Sequence, residues 1–437
     1  MSRERGPAAV PGAEVRAVAA RVLAEVLSGR SLKAQLAQQL TALPDSRDRA
    51  LCEAICHAAL RRRLRYEAAL AQLLERPIPP KARHVFALLL VGLAQLDALQ
   101  MVPHAAVAAT AEAARTLGFP GHVGLVNALL RRVAREPGNL LAGDTQDEAR
   151  RSHPTWLREA IERDWPEHAP AIFQANLEQA PLWLRLQPAA ADGEAFIARL
   201  QQSGVRILAQ RGAALAVENA GDPARLPGFA EGAFLVQDYA AQQAVEALAP
   251  EPGQRALDAC AAPGGKAAQI AASGAHLLAV DSDARRLRKV GETLQRLGLA
   301  GDLKCADAAD TAAWWDGQPF ERILIDAPCT ATGVIRRQPD ILLHRRSSDL
   351  PARVAEQARL LRALWPLLAT GGRLVYATCS VLKDENERQI DAFLAAHAEA
   401  RALDLPDALG RPAGAGRQRL PGEEDGDGFF IAALVKD

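Results

Sequence analysis

Two short stretches hold side chains of the types that carry out nucleophilic chemistry. Ile325-Asp326-Ala327-Pro328-Cys329 puts a carboxylate and a thiol in one tight turn, and Tyr376-Ala377-Thr378-Cys379-Ser380 puts a second thiol at the end of an apolar run. A free cysteine in a globular chain is most often a small core hydrophobe. Two of them in strand-end loops of one sheet, one beside an acid, point instead to a sulfur nucleophile with an acid–base partner. The six cysteines, at 52, 56, 260, 305, 329 and 379, are too sparse for a disulfide scaffold. There is no CxxC, and no His pair at metal spacing joins Cys52 and Cys56. Free thiols and no metal are therefore expected.

A third stretch has the shape of a ligand loop. Leu257-Asp258-Ala259 reads as a strand end. Cys260, Ala261, Ala262, Pro263, Gly264, Gly265 and Lys266 follow as a Gly-rich turn, and a helix starts at Ala267. Glycines let the backbone come close to a ligand, and a helix start offers unpaired N–H groups. The spacing is neither GxxxxGK[ST] nor GxGxxG, so neither a triphosphate nor a dinucleotide is indicated. Asp281, which ends the next strand, sits where a carboxylate accepts ribose hydroxyls, so a nucleoside fits the loop and the acid together. Cys305-Ala306-Asp307 falls where a third strand should end, and Asp307 is a candidate partner for an adenine amino group.

These loops need strands to hold them. From about Gln237, strands and helices alternate: Arg255–Ala259, His276–Val280, Arg322–Ile325 and Arg373–Thr378 are strand candidates, with Phe429–Val435 last. This is the pattern of βαβ units in a mostly parallel sheet, whose ligands bind beyond the carboxyl ends of the strands. Before it, Leu182–Leu186, Val205–Leu208, Ala214–Val217 and Ala233–Val236 read as strands of a small α+β module, with a helix over Gly193–Ser203. Residues 13–135 read as helix almost throughout, with apolar residues at i, i+3 and i+4 and breaks at Pro44-Asp45, Pro77–Pro80, Pro103 and Gly118–Gly121. Short connections between five or more helices make an α bundle. The polar stretch Glu136–His153 reads as a linker. The expected division is a helical domain over 1–145, linker helices and the small module over 146–236, and a Rossmann-like α/β domain over 237–437.

Length, composition and charge bound the rest. The chain has 437 residues, 52 basic and 52 acidic, so net charge suggests no acidic partner. Its distribution is uneven: residues 1–140 hold 19 Lys+Arg against 11 Asp+Glu, a surplus compatible with a nucleic-acid-facing arm. The longest apolar stretch, Val85–Leu96, falls short of the roughly 18 to 20 residues that span a bilayer and reads as a buried helix. The N-terminus lacks a signal-peptide core, so a cytoplasmic location away from membranes is expected.

Taken together, the Cys260–Lys266 loop, the Asp-Ala-Pro-Cys turn, the run Thr330–Asp340 and the Tyr-Ala-Thr-Cys-Ser strand end resemble the RNA (cytosine-5) methyltransferases that use S-adenosylmethionine. The helical N-terminal part resembles the antitermination-factor domain fused to one bacterial branch of that family, which methylates 16S ribosomal RNA. The resemblance implies S-adenosyl-L-methionine as methyl donor and 16S ribosomal RNA as partner, with no obligate protein partner. It implies Cys379 as the nucleophile that adds to cytosine C6 and Cys329 as the thiol that assists product release. Asp326, also expected among the cofactor contacts, is suited to hold or protonate N3 and the exocyclic amine, and Lys266 to stabilise the methionine carboxylate or the loop. Arg61-Arg62-Arg63 with Arg65, Arg131-Arg132 and Arg336-Arg337 are candidate RNA contacts, Arg336-Arg337 foremost, and Trp314-Trp315 reads as core packing. Two other classes remain open. One is a non-catalytic RNA-binding assembly factor on a methyltransferase fold. The other is a DNA cytosine-5 methyltransferase, in which the Pro-Cys thiol would be the nucleophile.

Overall fold

The computed structural model describes residues 10–140, 147–187 and 193–437. Contacts group the chain into two compact units: Met1–Glu178 with Ile335–Arg345, and Gln179–Val334 with Arg346–Asp437.

The first unit is all helical among its described residues. Its central helix, Arg83–Asp97, holds the apolar run Val85–Leu96 and buries almost every side chain from Val85 to Gln95. A helix apolar all round must be covered all round. Ala13–Leu27, Ser46–Arg61, Pro103–Thr116 and Val123–Arg135 pack against it. Ser46–Arg61 begins where the Asp45 carboxylate accepts the Arg47 N–H at 2.7 Å, a side-chain N-cap. Gly92 lets Val123–Arg135 approach, since a Cβ there would come within 2.4 Å of Leu130 Cδ1. Three of the buried polar groups form one chain: Arg16 Nε donates to Gln95 Oε1 at 2.8 Å, and Gln95 Nε2 to Thr110 Oγ1 at 3.0 Å. The expected linker Glu136–His153 lies partly outside the described residues. Its described parts form the turn Pro137–Leu140 and the helix Asp147–Arg151, and Thr155–Asp164 and Ala169–Leu177 follow in the same unit.

The second unit holds two sheets. The smaller is antiparallel, with Leu182–Leu186 between Ala214–Glu218 and Phe234–Val236, and Arg206–Arg211 outside Ala214–Glu218. Helix Gly193–Gln202 lays Phe196 and Leu200 on Leu184, Leu215, Val217 and Phe234. This is the expected α+β module. The larger sheet has a parallel core in the spatial order Leu368–Thr378, Phe320–Asp326, Arg255–Asp258, His276–Asp281 and Asp302–Cys305. Phe429–Lys436 pairs antiparallel with Leu368–Thr378, and Gly416–Arg419 and Arg411–Ala413 extend that edge. The five strands read from apolar runs are all present. The extra antiparallel strands are short and polar, and so carry no apolar run to betray them.

Candidate active site

The parallel pairing of Phe320–Asp326 with Leu368–Thr378 sets Asp326 opposite Ala377, so the two strands end together. The Ala327 N–H donates to Ala377 O at 2.9 Å, and the chains then turn side by side. Cys329 Sγ and Cys379 Sγ come to 3.5 Å of each other. Cys329 is 9% exposed, whereas Cys379 is half-buried. Cys329 shares its proton with Cys379. That hydrogen bond first, then burial, pushes its pKa well above the ordinary thiol value, so Cys329 keeps its proton. The second turn is pinned to the first: the Gly333 N–H donates to Cys379 O at 2.8 Å, and a Cβ on Gly333 would lie 2.1 Å from Gly428 O.

Lys266 and Asp326 meet beside the thiols. Lys266 Nζ donates to Asp326 Oδ2 at 2.7 Å and lies 5.1 Å from the centre of the Phe429 ring. Burial alone would lower the Lys266 pKa, but the Asp326 carboxylate and then Asp258 raise it, so the ammonium stays charged. Asp258, at the end of its strand, is fully buried. Burial, and then the charge of Asp326, pushes its pKa to about 7. The Cys260 thiol is pushed well up by burial and by Asp326, Asp258 and Asp281, which leaves it a neutral lining group rather than a nucleophile.

The turn Cys260–Lys266 is held from beneath. Gly264 has φ 106°, in the left-handed region, and helix Gly265–Ala272 starts directly after it with its first N–H groups unpaired within the helix. A Cβ on Gly264 would meet Val290 Cα at 3.0 Å, so only glycine fits without displacing the backbone of the neighbouring helix. Asp281 ends its strand buried, and its two oxygens accept the Ala262 N–H at 3.1 Å and the Asp283 N–H at 3.0 Å. Asp307 stands apart from this cluster in its bonding. It is exposed, accepts the Ala309 N–H at 2.9 Å, and pairs with Arg359 at 2.9 Å.

Two expectations about arginines need correction. Arg61 and Arg336, expected among the RNA contacts, are both buried in the helical unit, where Arg61 Nε and Nη2 donate to the Arg336 carbonyl at 3.0 and 2.6 Å. Burial first, then the charges of Arg62, Arg336 and Arg337, lowers the Arg61 pKa to about 10. Their charge is spent on packing the stretch Ile335–Arg345 rather than offered to a ligand. Arg131 and Arg132 are exposed, as a nucleic-acid contact requires. Trp314 is buried against Phe320, in keeping with core packing.

A buried polar layer under the two thiols was not anticipated. Glu385 and Asn386 are both buried, and with Thr330, Thr332, Thr378 and Ser380 they join the two turns. The run Lys383-Asp384-Glu385-Asn386-Glu387 reads as a solvated helix start, and its only distinguishing signal was its place directly after the Cys379 turn.

Three family models match successive stretches of the chain. The family model 16S rRNA methyltransferase RsmB/F matches residues 245–435, the NusB family matches 13–135, and the RsmF/B-like ferredoxin-like domain matches 153–222. Ribosomal RNA small subunit methyltransferase B of Xanthomonas campestris is 51% identical over 98% of this chain and 98% of its own. The protein of the same name from Xylella fastidiosa is 52% identical over 98% and 99%. The crystal structure of PH0851 superposes over 98% of this chain and 99% of its own with a TM-score of 0.80 at 22% identity, a likeness of fold.

Proposed function

Because the chain belongs to the ribosomal RNA small subunit methyltransferase B family, we propose that it methylates C5 of a cytosine in 16S ribosomal RNA through a temporary bond between Cys379 and C6. Membership makes it a methyltransferase of small-subunit ribosomal RNA. The observation that carries the finer reading is the pair of thiols 3.5 Å apart at the ends of neighbouring parallel strands, with the Lys266–Asp326 pair beside them.

C5 of cytosine is a weak nucleophile. Addition of the Cys379 sulfur to C6 makes the ring an enamine whose electron density sits at C5, so one hard step becomes easier ones. S-adenosylmethionine, the donor this reading requires, supplies a methyl on a sulfonium. The residues fit such a ligand: the left-handed Gly264, the unpaired N–H groups of helix Gly265–Ala272 and the acid at Asp281 together suit a charged nucleoside. Asp326 holds N3 and the exocyclic amine of the base as charge develops there, and Lys266 keeps Asp326 in place and partly neutralised. After methylation a base from solvent takes the C5 proton, the C5–H electron pair forms C5=C6, and the S–C6 pair leaves with the Cys379 sulfur. Cys329, protonated and 3.5 Å from Cys379, gives its proton to the departing sulfur and regains one from solvent. Only a base swung out of its RNA stack can reach a thiol at the foot of a turn.

The test is methyl transfer from tritiated S-adenosylmethionine to small-subunit RNA. Cys379→Ala is expected to abolish transfer, and Cys329→Ala to trap a protein–RNA adduct seen as a shifted gel band. Adduct formation by Cys379→Ala but not by Cys329→Ala would exchange the two roles, and no transfer to any RNA would remove the reading.

A further inference from the structure

The two thiol turns are gripped by two consecutive residues. Glu385 takes the first. Its Oε1 accepts the Thr330 N–H at 2.8 Å, and its Oε2 accepts the Thr330 hydroxyl at 2.5 Å. Gln357 Nε2 bridges the other flank, donating to Glu385 Oε1 at 3.1 Å and to Pro328 O at 3.0 Å. The peptides on both sides of Cys329 thus end on one carboxylate. Asn386 takes the second turn. Its Oδ1 accepts the Thr378 hydroxyl at 2.5 Å, and its Nδ2 donates to Ser380 O at 2.9 Å, so both neighbours of Cys379 are held by one amide.

The grip is rigid for stated reasons. Glu385 and Gln357 have no exposure, and Asn386 has 1%. The Glu385 carbonyl accepts the Tyr376 hydroxyl at 2.6 Å, which ties the pair to the strand that carries Cys379. Gln418 Oε1 accepts from Asn386 Nδ2 at 2.7 Å and fixes which end of the amide faces Ser380. Asn386 has φ −119° and ψ −106°, so it parts the turn Lys383–Glu385 from helix Glu387–Ala396. A buried carboxylate held by three donors costs little while every partner is present and much when one is lost.

We infer that Glu385 and Asn386 are positioning residues that divide the two sulfurs between them, Asn386 acting chiefly on Cys379 for attack on the base and Glu385 chiefly on Cys329 for release of the product. Neither touches the substrate; each acts through the turn it holds. The inference rests on the thiol roles proposed above and adds a separation between them: two adjacent residues govern two different steps.

The experiment separates the steps chemically. On RNA containing 5-fluorocytosine, C5 has no proton to lose after methylation, so the S–C6 bond persists and the rate of adduct formation reports attack alone. On ordinary RNA, accumulated adduct reports slow release. Glu385→Gln changes one acceptor oxygen into a donor against the Thr330 and Gln357 donors. Asn386→Asp changes the donor facing Ser380 O into an acceptor. Displacing a reacting group by a fraction of an ångström slows its step by about tenfold or more. Glu385→Gln is therefore expected to form the 5-fluorocytosine adduct within about twofold of the wild-type rate, yet accumulate adduct on ordinary RNA as release slows by about tenfold. Asn386→Asp is expected to slow adduct formation by about tenfold, with none accumulating. Thr330→Val and Thr378→Val, which remove the donor hydroxyls, should reproduce the two patterns, and Thr330→Ser and Thr378→Ser, which keep the hydroxyls, should behave as wild type. These four read the same split if either buried variant fails to fold. Equal slowing of both steps in every variant, which general loosening would produce, overturns the inference and leaves the thiol roles standing. Absence of any adduct from the wild type on 5-fluorocytosine RNA overturns the thiol roles as well.

Discussion

The two compact units bury polar groups in different ways. In the helical unit the buried polar side chains fall into several small, separate groups, each of which closes a local packing problem. Arg16 meets Gln95, the Tyr66 hydroxyl donates to Asp97 Oδ2 at 2.9 Å, Arg61 meets the Arg336 carbonyl, and His153 Nε2 meets Asn176 Nδ2 at 3.0 Å. In the α/β unit they converge. Asp258, Lys266, Asp326, Cys329, Cys379 and Glu385 all stand at or just beyond the carboxyl ends of adjacent strands, and their neighbours in this group shift the pKa values of Asp258, Lys266 and Cys329. Isolated satisfied pairs are a signature of packing, and mutual perturbation in one place is a signature of a site. Substitutions in the first unit should therefore register as stability, and substitutions in the second as chemistry.

The sharpest form of that contrast is the Cys379 thiol. Cys379→Ala removes one half-buried sulfur atom, which costs the fold little. Loss of a covalent nucleophile typically lowers turnover by about 10⁴-fold or more. Transfer assayed at matched enzyme concentration should fall by that order while the melting temperature shifts by no more than about 3 °C. A drop in stability as large as the drop in activity would break the contrast, since Cys379 would then be a core residue.

Much of this division is written in the sequence, and the reason differs by element. The inner parallel strands are largely apolar because both faces are covered, unlike the exposed edge strand Asp302–Cys305, and Gly and Pro mark the turns after them, so Asp326, Cys329, Cys379 and the 260–266 loop could each be set at a strand end. Helix Arg83–Asp97 was legible for the same reason, being apolar beyond what one exposed face allows. Glu385 and Asn386 were not. A charged run at a helix start is exposed far more often than not, and only contacts distant in sequence, from Thr330 and Gln357, put this one inside. Arg61 and Arg336 misled in the opposite direction: composition shows a charge, but which way the side chain turns is decided by a carbonyl 275 residues away. The membership of Ile335–Arg345 in the helical unit has no local signature at all.

Acid and base should pull the two units in opposite directions. Asp258 has a folded pKa of about 7, above its ordinary 3.8, so the folded state holds a proton that the unfolded chain gives up. Its contribution is full below pH 3.8 and is lost as pH rises toward 7, a swing of about 4 kcal/mol at 1.36 kcal/mol per pH unit. His153 is buried, which lowers its pKa to about 4 from 6.5. Here the unfolded chain binds the extra proton, so stability is full above pH 6.5 and is lost as pH falls toward 4, by about 3 kcal/mol. His57 and His84, also in the helical unit, shift in the same direction as His153. The surface acids Asp283, Asp316 and Glu399 oppose Asp258 in sign but are solvent-screened. Denaturant titrations of variant minus wild type isolate each group. The advantage of Asp258→Asn should grow from pH 4 to 7, and that of His153→Gln should grow from pH 6.5 to 4. Slopes of the same sign would contradict the opposite origins assigned to the two shifts.

The smallest effect tests the helical unit where it is most tightly packed. A Cβ on Gly92 would fall 2.4 and 2.6 Å from the two methyl carbons of Leu130, at the approach of Arg83–Asp97 to Val123–Arg135. The obstacle is the end of a flexible side chain rather than backbone, so the core has a way to yield. Alanine also removes the conformational freedom that glycine has in the unfolded chain, which favours the helix by about 1 kcal/mol. Overpacking a close-packed core costs about 1–3 kcal/mol. The balance for Gly92→Ala is a net loss of up to about 2 kcal/mol, read as a lower denaturation midpoint with an unchanged denaturant slope. Because the residues described around the two thiols all belong to the other unit, methyl transfer per folded molecule should stay within about twofold of wild type, well under the tenfold that 1.4 kcal/mol at the transition state would produce. A loss of turnover beyond that, at a temperature where the variant is fully folded, would mean that the helical unit contributes to the chemistry and would erase the distinction between the two regions.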